Sequence, residues 1–189
     1  MLTSLKNPWI KGLRKLHQTK YRRAQQQFLL EGTHLVEAAI ATRYPLQGVC
    51  ATVAWQDQHP QLWQALVDQT QRQETVSPTV LAALSTTPAP DGVVAIAAHQ
   101  PGPMPLSQPQ LALALENIQD PGNLGTLLRT AAAVGSDGVW CSQDTVDTTH
   151  PKVLRASAGQ WFRVPMGVIP EWSAQVAQWR QADCQLLAT

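Results

Sequence analysis

Apolar and polar positions alternate along the chain with two periods. Asn7 and Pro8 suit the N-cap and first turn of a helix in which Ile10, Leu13 and Leu16 recur at helical spacing, while Lys11, Arg14 and Lys15 lie off that stripe. Phe28-Leu29-Leu30 is a short apolar strand ended by Glu31-Gly32. Residues 34–42 then read as a helix, 49–55 as a strand, 60–69 and 79–84 as helices, and 93–98 as a buried strand. This predicts a small α/β domain over residues 1–99. His99 to Gln110 is dense in proline and glycine and has no apolar period, which predicts an inter-domain linker over residues 100–110.

Beyond the linker, residues 111–189 form a second unit. The predicted order is strand 111–116, helix 124–134, strand 138–141, helix 151–158, strand 161–168, helix 171–182 and strand 184–188. Such alternation predicts a parallel sheet covered on both faces. The run Leu111 to Leu115 is apolar throughout, as a buried strand requires, and Asp120-Pro121-Gly122-Asn123 is turn chemistry. Asn123 fits a helix N-cap and Gly135 a C′ terminator. Leu124 to Val134 is almost all apolar or small, so this helix is expected to be largely buried, with Arg129 as its exception. A guanidinium there must be paired or must face a cleft, because an unpaired buried charge is costly.

Composition and charge narrow the classes open to the chain. With 189 residues, 44% hydrophobic and 14% charged, it can bury a sizeable core. No apolar run approaches the roughly 20 residues that span a bilayer, which excludes a membrane helix. The net charge of +1 conceals an asymmetry. Lys6, Lys11, Arg14, Lys15, Lys20, Arg22 and Arg23 are seven of the 14 basic residues, and residues 1–23 contain no acid; the remainder sets seven basic residues against 13 acidic ones, a net −6. A basic arm on an acidic body fits a polyanion partner, although a solvated helix face is the plain alternative. Cys50, Cys141 and Cys184 stand far apart in no metal or redox spacing, consistent with inert thiols in a reducing, cytoplasmic compartment. The five histidines have no metal-ligand spacing either.

Ligands of open parallel sheets lie beyond the carboxyl ends of the strands, where the turn holding Asn123 falls. Gly122-x-x-Gly125 lacks the full spacing of a dinucleotide loop. Ser157, with no nucleophile elbow and no positioned histidine, reads as a helix-terminus turn. Glu116, at the strand end, could pair with Arg129 or simply be solvated.

The pattern Asn117-x-x-Asp120-Pro121-x-Asn123-x-Gly125-x-x-x-Arg129-x-Ala131-x-x-x-Gly135 resembles the first motif of the SpoU/TrmH-type RNA ribose 2′-O-methyltransferases of the SPOUT superfamily. Ser4-x-x-Asn7-Pro8, Lys15-Leu16, Lys20-Tyr21-Arg22 and Phe28 to Gly32 are similar to the start of that family's substrate-binding domain. Ala156-Ser157-Ala158-Gly159 with Phe162-x-Val164-Pro165 resembles a downstream segment, so the likeness spans nearly the whole chain. Because it begins at Ser4, no removable leader is expected.

The resemblance implies a small α/β RNA-substrate-binding domain followed by the N-terminal part of a SPOUT-type parallel α/β methyltransferase domain. It implies transfer of a methyl group from S-adenosylmethionine to a ribose 2′-hydroxyl, in ribosomal RNA rather than transfer RNA. Arg129 matches the family's catalytic arginine. Since guanidinium stays protonated, holding phosphate and stabilising developing oxyanion charge suits it better than acting as a base. Asn123 matches the motif's asparagine, which could orient that arginine or the substrate, or only cap the helix. Arg14, Lys15, Lys20, Arg22 and Arg23 are the expected RNA contacts. The chain ends at Cys184-Gln185-Leu186-Leu187-Ala188-Thr189, where the family continues into a Gly-x-Glu-x-x-Gly loop, an Ile-Pro-Met stretch and a Ser-Leu-Asn motif. Thr189 is thus the one expected cofactor contact. The knotted pocket and the face of the family's homodimer are expected to fall largely in the absent segment. Two functions follow: an RNA 2′-O-methyltransferase, or an RNA-binding protein without methyl transfer.

Overall fold

The computed structural model describes residues 1–100, 109–182 and 184–188. Asn7 caps α1 (Pro8–Lys15), its Oδ1 accepting from the N–H groups of Trp9 and Ile10. α2 (Thr19–Gln25) is an addition to the expected elements. It has no apolar stripe to announce it, and it ends where Gln26 turns left-handed at φ 50°. Then follow β1 (Gln27–Glu31), α3 (Thr33–Ala41), β2 (Leu46–Ala51), α4 (Val53–Gln58), α5 (Pro60–Gln69), β3 (Arg72–Thr75), α6 (Pro78–Leu84) and β4 (Val93–Ala98). The strands form one sheet in the order β1-β4-β2-β3, with β4 antiparallel to both neighbours and β2 parallel to β3.

Two sequence expectations shift here. The strand predicted over 49–55 ends at Ala51, because the Thr52 side chain accepts from the Trp55 N–H and starts a helix. β3 is a polar edge strand, so it carries no apolar signal. Alternate residues of β2 then serve two cores. Val49 and Ala51 face the larger one, and Cys50 joins Ile10, Leu13, Leu81 and Leu84 under α1 and α6.

The second unit contains β5 (Ala112–Leu115), α7 (Pro121–Ala133), β6 (Gly138–Ser142), α8 (Pro151–Ala156), a 3-10 turn at Gln160–Phe162, β7 (Met166–Ile169) and α9 (Trp172–Gln181). Its sheet is wholly parallel in the order β5-β6-β7. Val139 and Cys141 of β6 face α7 and α8, whereas Trp140 packs on Trp179 of α9, so both faces are covered. The predicted strand 161–168 is corrected to the shorter β7, because Gly159 at φ 77° turns the chain into the 3-10 segment. Residues 184–188 are neither strand nor helix, which corrects the fourth predicted strand. β5 is an edge strand with only Leu115 buried, not the fully buried strand its apolar run suggests.

The two units are not held apart by a spacer. Phe28, Leu30, Leu35 and Val36 from the first unit share one continuous core with Leu124, Leu128, Val153, Leu154 and Trp161 from the second. Trp161 sits among Phe28, Tyr44 and Phe162, with ring centroids 5.2–5.5 Å from its own. Most of the expected linker, residues 101–108, lies outside the described residues.

Candidate functional site

The site is built where the chain leaves β5 and enters α7. Asn117 adopts a left-handed φ of 53°, and its N–H donates to Ser142 Oγ at 2.8 Å. Gln119 Nε2 donates to Asn117 Oδ1 at 2.6 Å and to the Asp144 carbonyl at 2.8 Å. These bonds tie the loop after β5 to the loop after β6, both at the carboxyl end of the sheet. The N-cap of α7 is Asp120, not Asn123: its Oδ1 accepts from the Asn123 N–H at 2.9 Å. Proline at the first helical position pushes the cap one residue upstream of it. Asp120 Oδ2 also accepts from Lys152 Nζ at 3.1 Å. The backbone bond from Asn123, then Lys152, holds the Asp120 carboxyl below its ordinary range.

Gly125 sets how closely α7 approaches α8. A Cβ there would lie 2.5 Å from Ala156 Cβ and 2.6 Å from the Val153 carbonyl oxygen, inside any allowed contact. The glycine is required by packing, and no phosphate-binding role is needed to explain it. α7 is amphipathic where the sequence suggested near-complete burial. Leu124, Leu128 and Ala131 face the core, while Asn123, Thr126, Arg129, Thr130 and Ala133 are exposed. Thr126 and Thr130 spend their hydroxyls on carbonyls one turn back, those of Gly122 and Thr126. Asn123 and Arg129 therefore carry the uncommitted side chains of this face, and neither has a hydrogen-bond partner among the described residues. Arg129 is exposed and unpaired among the described residues, and Glu116, likewise exposed, is not its partner. Six residues of helix place Asn123 and Arg129 about 120° apart in azimuth and roughly 9 Å apart along the axis, so Asn123 does not orient the guanidinium.

The basic arm divides into exposed and buried parts. Arg14, Lys15, Lys20 and Arg23 are exposed, and Lys15 and Lys20 stand over the Tyr21 ring at 5.5 Å and 4.8 Å from its centroid. Arg22 is corrected. It is 1% exposed and its guanidinium pairs with Asp147 at 2.6 Å, so it has no surface to offer to RNA. Lys20 and Arg23 on the same helix are exposed, and only the helical turn of α2 decides which of its three cations points inward.

Other candidates settle into structural roles. Ser157 is buried and donates to the Leu154 carbonyl at 2.7 Å, closing α8. Burial pushes the Cys141 thiol up to about 11 and the Cys50 thiol up to about 12, leaving both protonated and unreactive at neutral pH. A cleft of about 210 Å³ lies at the carboxyl ends of β6 and β7, lined by Arg23, Gln26, His99, Ser142, Thr145 and Val168 among others. Thr189, the expected cofactor contact, lies outside the described residues. Asp147, Thr149 and Arg155 matter to the site's geometry and carried no sequence signal, since Arg22 and Glu31, which they meet across the units, lie more than 120 positions away.

Residues 7–95 match the MRM3-like substrate binding domain, and residues 110–189 match the SpoU rRNA Methylase family. Over all 189 residues the chain is 45% identical to an uncharacterized tRNA/rRNA methyltransferase of Synechocystis, of which it covers 69%. The chain belongs to the SpoU rRNA methylase family. A second relative is RlmP of Bacillus subtilis, a 23S rRNA (guanosine(2553)-2′-O)-methyltransferase; it is 33% identical over 165 residues, which are 87% of this chain and 63% of RlmP. The AdoMet-bound rRNA methyltransferase of Sinorhizobium meliloti superposes with a TM-score of 0.81 at 28% identity, over 96% of this chain and 68% of that one. The chain thus spans about two thirds of the length of these relatives.

Proposed function

We propose that this chain serves S-adenosylmethionine-dependent methylation of a ribose 2′-hydroxyl in ribosomal RNA, with residues 1–99 holding the RNA and residues 111–189 contributing to the transfer site. The observation that carries this reading is Arg129, a guanidinium with no partner among the described residues, displayed on the helix that follows a parallel strand. S-adenosylmethionine, when bound, supplies an electrophilic methyl group. The chain's own part is to hold the substrate. Arg129 grips a phosphate beside the target ribose and stabilises negative charge as the hydroxyl loses its proton. Asn123, rigidly presented at the start of α7, offers an amide to the same backbone. Arg14, Lys15, Lys20 and Arg23 supply attraction to phosphates, and Thr189 is assigned to the cofactor. The reading includes a cytoplasmic location and a homodimer.

Arg129→Ala should abolish methylation and leave RNA affinity nearly unchanged, measured by methyl incorporation and filter binding. Affinity falling in step with rate would contradict the role. The second reading, RNA binding without transfer, is favoured by the exposed basic surface of Arg14, Lys15, Lys20 and Arg23, which serves binding whether or not transfer follows. Calorimetric titration of S-adenosylmethionine separates the two, since saturable one-site binding supports transfer and its absence from folded protein supports the second.

A further inference from the structure

Arg22 is the cation of the basic arm that RNA cannot reach, and every one of its donors is used. Nη1 donates to the carbonyls of Leu16 at 2.9 Å and His17 at 3.0 Å, at the end of α1. Nη2 donates to Thr19 Oγ1 at 2.9 Å and Asp147 Oδ2 at 2.6 Å, and Nε reaches Asp147 Oδ2 and Thr149 Oγ1, each at 3.2 Å. A guanidinium has five N–H groups in a rigid fork, so this one is saturated and its orientation is determined. It joins α1, α2 and the loop after β6. A second pair crosses between the units with the opposite polarity: Glu31, at the end of β1, accepts from Arg155 Nη1 of α8 at 2.9 Å, and both bond to Thr86. The same contact between the units includes the Trp161 aromatic cluster and Gly159, where a Cβ would come 2.8 Å from Ala38 Cβ.

Apolar contact alone would hold the units together but would tolerate sliding, because it is non-directional. A saturated guanidinium and a second, separate carboxylate–guanidinium pair are directional, and together they specify a single offset. We infer that Arg22 is a positioning residue: by gripping Asp147 and Thr149 it holds the Arg14/Lys15/Lys20/Arg23 surface at one offset from Arg129, and that offset selects which nucleotide of the bound RNA lies over α7. The inference rests on the RNA-binding part of the functional reading and does not depend on methyl transfer.

The test is the joint substitution Arg22→Met with Asp147→Leu, which removes both charges and keeps apolar volume, the exchange least damaging to a buried pair. Arg22→Met alone serves as a comparison, as it strands the Asp147 charge. A photoreactive side chain at exposed Ala133, one turn beyond Arg129, is cross-linked to transcripts tiling large-subunit ribosomal RNA, and the attachment points are mapped. The unaltered pair should give one dominant nucleotide, and the double variant should spread over several neighbours at a salt dependence equal to that of the parent. Where methyl transfer is measured, the same change should lower kcat at the target nucleotide by about tenfold or more, with KM little changed, since misplacement of about 1 Å can cost about 100-fold. A folded double variant that keeps a single cross-link and full kcat overturns the inference. So does a salt slope lowered by about one, which would make Arg22 a phosphate contact. Failure of the unaltered chain to cross-link any RNA would overturn it together with RNA binding, whereas cross-linking without methylation would count only against the transfer reading.

Discussion

Single residues in this protein are explained by the distances they keep. Gly125 has no room for a methyl group against Ala156 and the Val153 carbonyl. Gly125→Ala should therefore destabilise the protein by about 1–3 kcal/mol through overpacking, seen as a lower urea midpoint at constant slope. Parental stability would mean that α7 can retreat from α8 freely. Arg22 and Arg23 make the same point for charge. They adjoin in sequence, yet one is buried and saturated and the other is exposed to solvent. Arg22→Met alone leaves Asp147 as a carboxylate without its partner and should cost about 3–5 kcal/mol, measured by chemical denaturation. Arg23→Ala should leave stability within about 0.5 kcal/mol, as surface changes do.

At the scale of elements, α7 and the pair α1–α2 each present one working face. α7 begins at Asp120, whose side chain accepts the Asn123 N–H. Asp120→Ala should lower stability by about 1 kcal/mol, whereas Asn123→Ala should leave stability nearly unaltered, and comparing their melting curves checks the cap assignment. Equal losses would return the cap to Asn123. The basic face of α1 and α2 is argued in the same way. Replacing Lys20 and Arg23 with alanine should each reduce the slope of log affinity against log salt by about one. The joint Arg22/Asp147 substitution should not change it. The element also explains why Tyr21 sits among cations, since its ring gives Lys15 and Lys20 a common surface to lie over.

For the molecule as a whole, the interface between the two units is the decisive feature, and the Asp147 carboxyl within it should make it sensitive to acid. Burial, the largest influence on Asp147, raises its carboxyl; the bonds from Thr149 and the charge of Arg22 together outweigh that and hold it below its ordinary value of 3.8. A carboxyl depressed in the folded state binds fewer protons than in the unfolded one, so its contribution is present above about 3.8 and is lost as pH falls through the lower folded value. Between pH 5 and pH 2 the parent should lose more stability than the Arg22→Met/Asp147→Leu variant, followed by denaturation at each pH. Parallel loss in both would place the acid sensitivity elsewhere. Because Phe28, Leu124 and Trp161 share one core, the two sheets should also unfold in a single transition.

Much of the local structure was determined by the sequence acting at short range. Asn7-Pro8 starts α1, Pro121 and Gly135 bracket α7, and the apolar run at 93–98 is β4 to the residue. These signals depend on contacts within a few positions, which the order of residues states directly. The motif from Asn117 to Gly135 was legible for the same reason, because its parts lie on one turn and one helix. Only the tertiary structure decided that α7 shows Arg129 to solvent, that Arg22 is withdrawn from the basic arm, and that the two units dock through Asp147, Glu31 and Arg155. Burial and ion pairing between residues more than 120 positions apart depend on how elements meet in space, and neither periodicity nor charge counting along the chain contains that information.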